Sequence, residues 1–186
     1  MKITIRFLVA WTLVFGVIAA SIYGYYRYQF PYGNTHRCSK VLAGMLDQYA
    51  EDNGGRYPQA DDDRQLGLEK VLGGDREQLA TVVGKAGNLA EAERFHGTNG
   101  YLLKEHSSWH YVSGLTTADE GRALAWDKIP LAHNGMRLSY NPREVIMVGG
   151  WVDQVNESRW DDFLRQQNQI AKKNLEANKA SHSNPH

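Results

Sequence analysis

Cysteine is nearly absent from this chain, acidic residues are absent before Asp47, and net charge is absent altogether. The single cysteine, Cys38, excludes an intrachain disulfide, a four-cysteine zinc site and a CxxC redox pair. Twenty-one Lys plus Arg balance 21 Asp plus Glu, so no overall field gathers nucleic acid, and a general nucleic-acid partner is excluded. No internal repeat and no heptad array is present. Hydrophobic residues make up 42% of the 186, yet the mean hydropathy is -0.53, so the apolar residues must be concentrated in one segment.

That segment is the N-terminus. Phe7 to Tyr26 runs 20 residues without a charge, which as a helix rises about 30 Å, the thickness of a bilayer's hydrocarbon core. Tyr23, Tyr25, Tyr26 and Tyr28 with Arg27 close it as a helix meets headgroups, with rings at the interface and a cation reaching outward. A cleaved signal peptide is the rival reading, with Lys2 and Arg6 as its basic region and Ala19 and Ser21 as small residues near a cut. The length of the run and the tyrosines continuing it favour an uncleaved anchor over residues 1–30. Lys2 and Arg6 before the span are balanced by Arg27, Arg37 and Lys40 after it, so charge does not decide orientation.

Pro31, Gly33 and Asn34 predict a hinge over 31–35, leading into one α+β domain over 36–176 and a polar, disordered tail over 177–186. Val41, Leu42, Met45, Leu46 and Tyr49 mark one stripe of an amphipathic helix from about His36 to Asn53, stopped by Gly54 and Gly55. Leu66 to Leu72 reads as a short helix closed by Gly73 and Gly74. Asp75, paired with Gln78 three residues on, predicts a helix start running through Leu79, Val82 and Val83 toward Arg94, with Gly84 and Gly87 weakening it. After Gly100 the runs around Trp109 to Val112, Leu124 to Trp126, Val145 to Val148 and Trp151 to Val155 predict an antiparallel sheet. Gly149 and Gly150 predict a two-residue primed turn joining the last two strands. Trp160, Phe163, Leu164, Ile170, Ala171 and Leu175 mark a helix begun near Asn156.

The chemistry-bearing residues are sparse. His106 and His110 have the i, i+4 spacing of a helical zinc pair, but they fall where a strand signal begins and lack the Glu of H-E-x-x-H, so hydrogen-bonded histidines are the better reading. His133 before Asn134-Gly135 suits a side chain holding loop backbone more than a general base, as no nucleophile accompanies it. Asp61, Asp62 and Asp63 offer hard oxygens that suit calcium, without the glycine and terminal glutamate of an EF-hand; a solvated loop is the simpler alternative. Cys38 reads as a packed thiol, and the Gly54-Gly55 and Gly73-Gly74 pairs as turns. No catalytic, cofactor or metal residue is therefore assigned.

The stretch Tyr49-Ala50-Glu51-Asp52-Asn53-Gly54-Gly55-Arg56-Tyr57-Pro58, followed by Gln65-Leu66-Gly67-Leu68-Glu69, resembles the end of the first helix and the following loop of the major pseudopilins of type II secretion. Ala123 to Lys128, His133-Asn134-Gly135 and Val145 to Asp153 are similar to the strand, histidine turn and final hairpin of the related prepilin-type proteins with a His-x9-Asp-Gly signature. Together these motifs lie within residues 36–165. The resemblance implies an amphipathic helix packed on a small antiparallel sheet, an extracytoplasmic domain, envelope or secretion proteins as partners, and a structural or interaction role without catalysis. It also points to Thr116 to Gly121, with Asp119 and Glu120, as the place where a pseudopilin ion loop would fall. Aromatic residues on the sheet and the C-terminal helix are the expected partner surface. The prepilin cleavage motif is not recognisable here: neither Gly16 nor Gly24 is followed by the required glutamate. Gly149 and Trp151 stand where the related signature has aspartate and histidine. An exported small-ligand-binding protein or enzyme using the histidines and loop carboxylates is the competing class.

Overall fold

The computed structural model describes residues 2–34, 37–138, 140 and 142–182. Helix α1 (Lys2–Gln29) contains the apolar run Phe7–Gln29, none of it buried against the rest of the chain. Two of its hydroxyl side chains are turned back on the helix: Thr12 Oγ1 donates to the carbonyl of Leu8 at 2.9 Å and Ser21 Oγ to that of Val17 at 2.8 Å. This leaves an apolar cylinder with its backbone groups satisfied internally, as a bilayer demands. The helix ends at Pro31, and Gly33 at φ +88° turns the chain.

Helix α2 (Ser39–Asp52) starts three residues later than the apolar stripe predicted; His36 lies outside the described residues. Its buried face is Ser39, Leu42, Ala43, Leu46 and Ala50, while Val41 is exposed and Tyr49 half-buried. The predicted stripe is thus rotated: small Ala43 and Ala50 are buried with Leu42 and Leu46 in place of Val41 and Tyr49. Gly54 and Gly55, both at positive φ, end it as expected, and the Gly55 N–H bonds the Ala50 carbonyl at 2.8 Å.

The expected helix at 66–72 is only a 3₁₀ turn, Leu68–Val71, begun by Gly67 at φ +84°. The single helix expected from Asp75 toward Arg94 is two, α3 (Arg76–Val83) and α4 (Leu89–Asn99). Asp75 does cap α3, but Gln78 bonds the Gly73 N–H at 2.6 Å and does not complete a capping box. Gly84 at φ +78° breaks the run, and Asn88 caps α4 through the Glu91 N–H at 3.3 Å.

Four strands, β1 (Trp109–Tyr111), β2 (Ala123–Asp127), β3 (Arg143–Met147) and β4 (Val152–Val155), form an antiparallel sheet in sequential order. A register irregularity between Ala123 and Ala125 sends Leu124 and Ala125 to the same face. That face shares one core with α2, α3 and α4, made by Leu42, Leu46, Val82, Ala92, Trp109, Leu124 and Ile146 among others. The opposite face places Ala123, Val145, Met147 and Val155 under Trp160, Phe163 and Leu164 of α5 (Trp160–His182). The chain is therefore α+β, with helices on both faces of one small sheet. The hairpin glycines have positive φ as expected, but the turn is not a two-residue primed one. The Gly150 N–H bonds the Met147 carbonyl at 3.1 Å, and the Met147 N–H bonds that of Trp151 at 2.9 Å, so Val148 and Gly149 occupy the turn centre. Helix α5 runs on to His182 through the start of the expected disordered tail; residues 183–186 lie outside the described residues.

Candidate functional site

The junction between α1 and the domain is tied down. The backbone N–H of Arg137 donates to the carbonyl of Gln29 at 2.9 Å, one of the unpaired carbonyls at a helix end, and its guanidinium lies 5.1 Å over the Tyr28 ring. The Arg37 N–H donates to the carbonyl of His133 at 2.9 Å. The His133 carbonyl thus holds backbone, the Asn134 side chain accepts the Met136 N–H at 3.2 Å, and Gly135 turns at φ +83°.

The two histidines with helical spacing do not share a helix. His106 sits in a 3₁₀ turn (Lys104–His106), where its Nδ1 accepts the Leu103 N–H at 3.2 Å and its ring packs 4.5 Å from Phe95. His110 lies on β1, stacked on Trp126 at 4.2 Å; burial, then the Lys128 and Lys104 charges, hold its imidazole below the ordinary value. The acidic loop is occupied with its own structure: Asp61 pairs with Lys70 at 2.8 Å and Asp62 Oδ1 accepts the Arg64 and Gln65 N–H groups. Asp119 closes the 116–121 loop on Thr116 and accepts from Asn174 of α5 at 3.3 Å. Among the described residues, no three His, Cys, Asp or Glu side chains converge as a metal site would require. Cys38 is half-buried at the start of α2.

The densest chemistry is one that the sequence reading missed. Lys85, 1% exposed, places its Nζ 2.8 Å from Asp127 Oδ2, 2.6 Å from Glu144 Oε2 and 3.2 Å from the Leu131 carbonyl, with the Trp109 ring centre 5.6 Å away. The Glu144 N–H also reaches Asp127 Oδ2, at 3.3 Å. Burial pushes the Asp127 carboxyl up to about 6 against the pull of the Lys85 ammonium, and the Glu144 charge adds to the rise. Two glycines make the approach. A Cβ on Gly84 would collide with Ser108 Oγ and the Trp109 indole, and one on Gly87 with Val83 and, at 2.9 Å, the His106 carbonyl, so the 84–87 loop passes close against the segment that leads into β1, with Lys85 directed inward. A lysine flanked by two glycines directly after an apolar helix was the available signal. Asp127 and Glu144, each at the end of an apolar strand run, were the other half.

The expected aromatic surface is largely internal. Trp109 is fully buried, and Trp160, 9% exposed, packs against Trp126 and Phe163 with the Arg143 guanidinium 4.6 Å over its ring. Trp151, half-exposed beside the β3–β4 turn, is the sheet aromatic that faces solvent. A groove of about 380 Å³ runs between β4 and α5, lined by Asp153, Arg159, Asp162, Phe163 and Gln167 among others. Gln167 floors it, accepting the Ala123 N–H at 2.7 Å and donating to the Gly121 carbonyl at 3.1 Å.

The geometry defines a small α+β domain carrying an N-terminal helix long and apolar enough to cross a membrane. No protein-family model matches this chain, and no curated protein or solved structure matches it either.

Proposed function

We propose that this chain is a membrane-anchored, pseudopilin-like structural or protein-interaction protein without catalysis, its domain facing an extracytoplasmic space in secretion or cell-envelope assembly. The observation that carries this reading is α1: an apolar run, Phe7–Gln29, none of it buried, attached to a domain that completes both of its cores without it. So much exposed apolar surface is untenable in water, and a bilayer removes it. The Tyr49 to Pro58 motif and the helix-on-sheet packing of α2 support the pseudopilin likeness. On this reading partners meet the domain at Trp151 and along the β4–α5 groove, where an aromatic ring adjoins mixed charge.

Alkaline carbonate washing of native membranes tests the anchor, since the full-length protein should stay in the pellet. A shortened, released form would establish a cleaved signal peptide. Protease added outside the inner membrane should digest the domain; protection would reverse the orientation.

A further inference from the structure

Lys85, Asp127 and Glu144 do nothing that the proposed role uses, yet three ionisable side chains from a loop and two strands converge in the interior, Lys85 and Asp127 fully buried and Glu144 at its margin with 12% of its side chain exposed. Fully charged, the set would hold two carboxylates against one ammonium, a net negative charge beside an indole ring in a low dielectric. Burial lifts the Asp127 carboxyl above the ordinary carboxylate range while it sits 2.8 Å from the Lys85 nitrogen, which brings its protonated form within reach beside the Glu144 carboxylate at 2.6 Å. A buried, protonated carboxyl touching a lysine, with a second carboxylate on the same nitrogen, is an electrophile, a nucleophile and a proton carrier in contact. The Glu144 N–H on Asp127 Oδ2 adds a fixed donor where negative charge would develop.

We infer that this cluster closes an intramolecular amide between Lys85 Nζ and Asp127 Cγ, with Glu144 as the proton carrier. The carboxylate of Glu144 takes one proton from the Lys85 ammonium, and the freed nitrogen pair forms the N–C bond to Cγ of protonated Asp127. A second nitrogen proton passes through Glu144 to the Asp127 hydroxyl, the C–O bond breaks and one water leaves. Glu144 keeps the first proton, so the set is neutral before and after. The amide N–H that remains has the Leu131 carbonyl, now 3.2 Å from Nζ, as an acceptor. No oxidant, metal or co-reactant is needed. In water the reverse reaction wins because both ions are well hydrated; here burial removes that hydration and the fold holds the partners in contact. Asp127 is the electrophile because it is the more deeply buried carboxyl and receives the backbone donor, whereas Glu144 lies nearer the nitrogen.

Peptide mass mapping of the purified, full-length folded protein tests this. The expected result is a branched peptide joining the Lys85 and Asp127 segments, one water lighter than the two together, with neither linear peptide found separately. Glu144→Gln, which keeps an acceptor but cannot take the proton, should yield both linear peptides in a protein whose circular dichroism is unchanged. Lys85→Arg should do the same. Linear peptides in the folded wild type would overturn the inference and leave a buried ion pair. A branch on Glu144 would overturn the assignment of Asp127, and a branch that persists in Glu144→Gln would overturn the role of Glu144.

Discussion

Glu69 buries a carboxylate oxygen, Oε2, with no hydrogen-bond partner, on a residue only 8% exposed. Burial raises its carboxyl above the ordinary value, opposed by backbone amides around 67, 69 and 102 and by Lys70. A carboxyl raised on folding contributes its full stability below the unfolded value and loses it as pH rises through the folded one. Glu69→Gln keeps an acceptor for those amides and removes the buried charge. It should raise Tm at neutral pH, with the gain vanishing in acid; a gain independent of pH would locate the effect elsewhere. At the hairpin, a Cβ on Gly150 would strike the Asp47 carboxylate, which itself accepts from Tyr57 Oη at 3.1 Å, whereas one on Gly149 meets only the edge of the Trp151 ring at 2.9 Å. Both positions lie at positive φ. Gly150→Val should therefore cost roughly 2–4 kcal/mol and Gly149→Val less; equal melting temperatures for the two variants would refute the Asp47 contact.

At the scale of elements, the glycines divide by what surrounds them. Gly84 and Gly87 are enclosed by the His106 to Trp109 segment and the end of α3, and Gly84→Ala should cost several kcal/mol in a denaturant titration because the position lies at φ +78° and a Cβ there would strike Ser108 Oγ and the buried Trp109 indole. Gly97 in α4 and Gly44 in α2 have open space around them and ordinary helical backbone, so Gly97→Ala and Gly44→Ala should each stabilise by about 0.5–1 kcal/mol. A destabilised Gly97→Ala would contradict the placement of α4. This contrast also explains what was legible in the sequence. Periodicity and turn residues located α2, the four strands, the hairpin and α5, because those signals act over a few neighbouring residues. The break between α3 and α4 was visible only as a weakness at Gly84 and Gly87, since what requires glycine there is the His106 to Trp109 segment, about twenty residues away. The Lys85 cluster was missed for the same reason: three charges separated by 42 and 17 residues have no spacing to read until the sheet brings Asp127 beside Glu144.

On the scale of the whole molecule, the proposed role stops short of regular filament assembly. Pilin-type stacking uses an unbroken helix from membrane to domain, and here Phe30 to Cys38 separates α1 from α2. The span also lacks a glutamate to neutralise a buried terminal amine, a charge costly to leave alone in lipid. Intact-mass comparison of cells with and without the prepilin peptidase should give the same N-terminus in both; a methylated, leader-less form dependent on the peptidase would make this an assembling subunit. The tie between Arg137 and the end of α1 bears on how such a chain finds partners. A membrane protein on a loose tether samples every azimuth and tilt, and each encounter must select the right one. With the Gln29 carbonyl and the Tyr28 ring both gripped by the 132–138 loop, the domain would present the same face to its neighbours in the plane of the bilayer. Much of the rotational entropy that association ordinarily costs would already be gone before two molecules touch, so a contact area too small to hold proteins together in free solution would suffice on a membrane.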